Sequence, residues 1–139
     1  MDRSNTWYVF ALIAVIFWGL WGFLPKLTIK YIDPKSALVW EVIGAMIVGL
    51  VMLAVIGFKL ETHPKGVVFA ILTGLFALLG ALAFLYAISK GKASVVVTMT
   101  ALYPLIAIAL SFFVLHETIT IKQGAGIIVA LIAMILLAG

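Results

Sequence analysis

No cysteine occurs among the 139 residues, and aspartate and glutamate together number only 5. The first absence removes disulfides, thiolate metal sites and cysteine nucleophiles together. The second leaves Asp2 and Asp33 as the only aspartates able to orient a histidine, and neither lies near a G-x-S-x-G turn, so a hydrolytic triad has no support. Histidine is almost as scarce. His116-Glu117 begins like the zinc-protease pattern H-E-x-x-H, but position 120 is threonine and the second imidazole one turn on is missing. Gly124 and Gly126 form a lone G-x-G that follows no strand. These gaps predict a chain that is not an enzyme and binds neither cofactor nor metal. Charge is also short: 10% of residues carry it, where a soluble domain has about a quarter. The net charge of +4 is scattered in ones and twos, without the basic stripe that tracks phosphates, so nucleic acid is excluded as a partner.

What the sequence has instead is apolar length, with 66% of its residues hydrophobic. Crossing a hydrocarbon core of about 30 Å takes about 20 apolar residues at about 1.5 Å each. Five segments qualify, at about 7–28, 34–58, 65–89, 94–115 and 121–138. They predict an all-α polytopic membrane protein of five transmembrane helices, its principal partner the lipid bilayer. Met1 to Phe10 lacks the short core and small-residue exit of a cleaved signal peptide, and four apolar segments follow, so the first helix is expected to stay. Trp7 and Tyr8 suit the interfacial belt. Asp33 before Pro34 reads as a helix N-cap and first-turn pair, and Thr120 with Gln123 matches a capping box. No repeat, low-complexity tract or linker interrupts the run.

Lysine and arginine in short loops normally mark the cytoplasmic side. With five spans, Arg3, Lys59, Lys65 and Lys122 share one side and Lys26, Lys30, Lys35, Lys90 and Lys92 the other. Four against five is almost no bias. Either the first helix settles the orientation, or copies insert both ways up.

Ionisable groups at membrane depth are costly and tend to be functional. Glu41 lies two turns into helix two, about 10 Å from its start. It reads either as an interfacial carboxyl paired with Lys26 across the first loop, or as a carboxyl that couples transport or binds substrate. Lys26 either snorkels to the interface or binds substrate. Trp18, Gly22, Pro25 and Lys26 share a face of helix one. Pro25 frees the carbonyl of Trp21, and Pro104 frees that of Thr100 in helix four. Two such interruptions predict broken helices beside a polar cavity, with Trp18, Trp21, Trp40, Tyr86 and Tyr103 able to wall it for a cationic or aromatic compound. The substrate and coupling candidates are therefore Glu41, Lys26, Trp18, Trp21, Thr100, Tyr103 and Pro104. Glu117 is expected to serve the joint before helix five, capping it or pairing with Lys122. Small-residue stripes at Gly126, Ala130 and Ala133, at Gly44, Ala45 and Val48, and at Gly74, Ala77 and Ala81 allow close helix approach in lipid.

These residues resemble a known family. Ala87 to Ala93, Tyr103-Pro104, Leu115-His116-Glu117 where Leu-Gly-Glu is usual, and Gly124 or Gly126 in helix five are similar to the EamA-type half-domain of the drug/metabolite transporter superfamily. Trp18-Gly19 looks like its early Trp-Gly. The resemblance spans all five helices as a single domain over 1–139. It departs at Glu41, near where many members carry arginine. Long members hold two such halves, inverted, around a substrate path. The resemblance therefore implies a homodimer of five-helix subunits in the antiparallel arrangement of the long members' halves, moving small metabolites or drug-like compounds across a prokaryotic cell membrane by alternating access, with protons the coupling ion to test. Small multidrug-resistance proteins, which are related, dimerise antiparallel but have four helices and a helix-one carboxylate that this chain lacks. The rival reading is a non-transporting accessory or assembly subunit whose small-residue faces bind other helices.

Overall fold

The computed structural model describes residues 6–138, so Asp2 and Arg3 lie outside the described residues. Six helices follow one another: α1 Thr6–Thr28, α2 Pro34–Val55, α3 Pro64–Lys90, α4 Ala93–Thr100, α5 Tyr103–Val114 and α6 Ile121–Ala138. Among the described residues there is no strand. The protein is an all-α polytopic membrane protein. Four spans, with α4 and α5 counted together as Ala93–Val114, are long and apolar enough to cross a bilayer. The 18 residues of α6 reach about 27 Å, short of a full hydrocarbon core.

The chain divides into two compact units, Met1–Ser89 and Lys90–Gly139. In the first, the buried residues gather at one end. They are Gly22 and Pro25 late in α1, Ala37 in the first turn of α2, and Ala81, Phe84, Leu85 and Ile88 late in α3. The α3 positions recur at three, four and seven, a single helical stripe. Trp21 stacks on Phe84 with ring centroids 5.2 Å apart, and the Lys26 ammonium donates to the Ile88 carbonyl at 2.8 Å, so the C-terminal ends of α1 and α3 meet. Elsewhere α1, α2 and α3 are largely exposed. For a membrane protein this is economical, because lipid is as apolar as leucine and burial of Leu85 gains packing contacts without a hydrophobic driving force.

Local chemistry sets the helix ends. Asp33 caps α2, its carboxylate accepting from the amides of Lys35 at 2.9 Å and Ser36 at 3.2 Å and from the Ser36 hydroxyl at 2.6 Å. The helix stops at Val55, three residues before the sequence reading placed its end. Gly57 and Phe58 turn left-handed, at φ 63 and 59, and their amides return to the carbonyls of Ala54 and Leu53. That is the Schellman closure, for which glycine is the natural residue. The capping box of α6 forms as its sequence implied: the Thr120 amide and hydroxyl both donate to Gln123 Oε1 at 2.9 Å, and the Gln123 amide donates to Thr120 Oγ1 at 3.3 Å.

The two prolines behave differently. Pro25 sits within a continuous α1, so the break expected in helix one does not occur. The fourth span does break, through a turn at 101–102, and Pro104 enters the first turn of α5. The break follows from composition as well as from proline. Val95, Val96, Val97, Thr98 and Thr100 are β-branched and poor helix formers, and Pro104 has no amide for the Thr100 carbonyl. In the second unit α4 packs against α6.

Candidate functional site

In the second unit, α5, the joint that follows it and α6 enclose a groove of about 540 Å³, within the size range of small-molecule sites. Its existence follows from side-chain volume. Pro104, Ala107 and Ser111 line it from α5, and Gly126 and Ala130 from α6. Those spacings place each set on one helical face, and small residues on both faces leave a slot between them. Ile108, Phe112 and Ile127 give it apolar walls, while Glu117, Thr118 and Gln123 make one end polar. Apart from Ser111 the helical walls of the slot are apolar, and it holds a single carboxylate.

The backbone of that glutamate is held at the end of α5. The Ser111 carbonyl accepts from the amides of Leu115 at 3.1 Å and Glu117 at 3.2 Å. The chain can return this way because His116 adopts a left-handed φ of 54. Such a conformation costs an L-residue about 1–2 kcal/mol, which gives a physical reason for glycine at this place in the Leu-Gly-Glu pattern. Lys122 is exposed on α6 outside the groove, and no ion pair joins it to Glu117 among the described residues.

The substrate and coupling candidates named from the sequence lie in different places. Only Pro104 lines the groove. Tyr103 is exposed, as is Trp18, and Trp21 is held against Phe84. The Thr100 hydroxyl donates to the carbonyls of Val96 at 2.9 Å and Val97 at 3.0 Å, bracing the last turn of α4 just before the break. Thr98 does the same to Ser94 at 2.8 Å.

In the first unit Glu41 is half-buried on α2, one turn beyond the buried Ala37. The Lys26 ammonium donates to the Ile88 carbonyl, one of the last four in α3 without a helical amide of its own. An ammonium at a helix C-terminus also complements the helix dipole. The sequence reading assigned Glu117 and Gln123 to the joint alone. The signal for the groove was already in the residues: a small-residue face on α5 at 104, 107 and 111, opposite the one noted at Gly126 and Ala130.

A family model described as the EamA-like transporter family matches residues 5–139. Among curated proteins, an uncharacterized protein of Methanocaldococcus jannaschii is 32% identical over 137 residues, covering 96% of this chain and 96% of its own. No solved structure matches.

Proposed function

Because the chain belongs to the EamA-like transporter family, we propose that it is a secondary transporter. It moves small metabolites or drug-like compounds across the cell membrane by alternating access between two copies of itself. The observation that carries this reading is the family match over residues 5–139, with four apolar spans and the shorter α6 among the described residues. Two copies supply the ten helices that the resemblance gives to long members. The archaeal relative matches this chain almost end to end. Two further features support the reading. Loop lysines and arginines are almost balanced between the two sides, which suits subunits inserted in opposite senses. The fourth span is interrupted near its middle, a feature transporters use beside a substrate path.

Glu41 is the proposed coupling residue, because it is a half-buried carboxyl in a spanning helix and such groups serve proton relays. Reconstitution in liposomes with an imposed pH gradient tests this. Wild type is expected to accumulate members of a panel of cationic, amino-acid-like and neutral solutes, and Glu41→Gln to lose gradient-driven uptake while keeping its helicity. Uptake unaltered by the substitution removes Glu41 from the mechanism. Reporter fusions at the C-terminus test the dimer's sense, with signal expected from both sides of the membrane. The accessory-subunit reading is favoured by one observation: a Cβ at Gly44, Gly49 or Gly74 meets nothing within 4 Å, leaving room for a partner helix. Absence of flux for every solute would select it.

A further inference from the structure

The connection between α2 and α3 carries exposed apolar surface. Phe58 is 74% exposed and Leu60 67%, and the charged residues beside them, Lys59, Glu61 and Lys65, are exposed as well. The backbone makes Phe58 more unusual. Closing α2 needs one left-handed residue, and Gly57 supplies it. Phe58 repeats the left-handed turn at φ 59, a conformation that a bulky L-residue seldom adopts. With so much of the residue exposed, packing inside the chain does not offset the strain.

Helix lengths give this connection its level. The 22 residues of α2 reach about 33 Å, enough to carry the chain from its Asp33 cap across a core of about 30 Å. Phe58 follows within one turn of that exit. The third helix gives the same level independently. Its far end lies beside Lys26 through the bond to Ile88, and an ammonium belongs at the membrane edge. Counting back about 20 residues from Ile88 reaches Val68, which leaves Pro64 to Val67 beyond the core. The connection therefore falls where acyl chains give way to headgroups, a zone that favours aromatic rings and in which Lys59 and Lys65 suit the phosphates.

We propose that the α2–α3 connection is an interfacial anchor, with Phe58 and Leu60 inserted at the acyl boundary of the bilayer. Lipid contact then offsets the strain at Phe58. The proposal is independent of the transport reading, since an accessory subunit would be anchored in the same way.

The absence of cysteine lets the single variants Phe58→Cys, Leu60→Cys and Glu61→Cys carry one nitroxide each. In vesicles of phosphatidylcholine and phosphatidylglycerol, spin relaxation by oxygen, which concentrates among acyl chains, is compared with relaxation by a water-soluble nickel chelate. Labels at 58 and 60 are expected to respond more to oxygen, and the label at 61 more to nickel. The label at 60 leaves Phe58 in place, so loss of helicity in Phe58→Cys does not end the test. Adding Phe58→Ser to Leu60→Cys should shift the label at 60 toward nickel. A nickel response at 58 and 60 as large as at 61 overturns the proposal, because the connection then stands in water. Labels at 58 and 60 shielded from both agents overturn it too, since a protein contact then covers them. A label at 60 unmoved by Phe58→Ser removes Phe58 as the anchor.

Discussion

Replacing Lys26 by methionine keeps the apolar stem of the side chain and removes only its ammonium. That ammonium lies 2.8 Å from the Ile88 carbonyl, in the last turns of α3, where the acceptor has no helical amide. A hydrogen bond from a charged donor contributes about 1.5–3 kcal/mol, and a cation at a helix C-terminus adds about 0.3–1 kcal/mol. Methionine regains part of this by not having to bring a charge to the membrane edge. The expected net loss is about 2 kcal/mol. It can be read from detergent-driven unfolding in mixed micelles, followed by circular dichroism and by tryptophan emission. Trp21, stacked 5.2 Å from Phe84, lies at the contact that would loosen, so its emission should shift at lower denaturing detergent than in wild type. Lys26→Arg keeps the charge but replaces a point donor with a planar fork, and should fall between the two. If Lys26→Met unfolds where wild type does but abolishes uptake, Lys26 serves substrate or coupling and its structural role is refuted.

His116→Gly should stabilise the chain by about 1 kcal/mol, relief of left-handed strain outweighing the entropy that glycine adds to the unfolded state; His116→Val should destabilise it, and the same unfolding assay ranks the three. Asp33→Ala should destabilise the chain through loss of the α2 cap. The Asp33 carboxyl is held below its ordinary value of 3.8, first by the Ser36 hydroxyl and then by the Ser36 amide. Because the folded pKa is the lower one, the cap's contribution is complete above pH 3.8 and disappears as pH falls through the folded value. Wild type, but not Asp33→Ala, should therefore lose stability on going from pH 5 to below pH 3. Pro104→Ala supplies the missing amide and should draw α4 and α5 toward one helix; slower hydrogen exchange across residues 101–105 is the expected sign, and unchanged exchange would place the cause of the break in the β-branched run.

The features legible in the sequence were the ones with local causes. Asp33-Pro34 and Thr120-x-x-Gln123 specify caps through atoms three residues apart, so both could be read without a fold. Hydrophobic length delivered the spans for the same reason, since each helix in lipid must satisfy its own backbone. The end of α2 was read three residues late because Ile56 and Phe58 continue the apolar run, and only Gly57 marks the reversal. Pro25 and Pro104 look alike as residues. α1 stays continuous around Pro25, where no run of β-branched residues leads up to the proline, whereas α4 approaches its proline through valines and threonines. The least legible contact was Lys26 to Ile88, with 62 positions between donor and acceptor and no local pattern to announce it. The groove escaped for a related reason, since a slot between two helices belongs to neither sequence segment alone.

That long separation also sets a clock. Chains grow at about 5–20 residues per second, so roughly 3–12 s pass between the appearance of Lys26 and that of its acceptor. During that interval the donor exists before its acceptor in α3 has been made. The first helix must wait for the third before its final position is secured. The bond that ties the end of α1 to the end of α3 is therefore among the last in this unit whose two partners both exist.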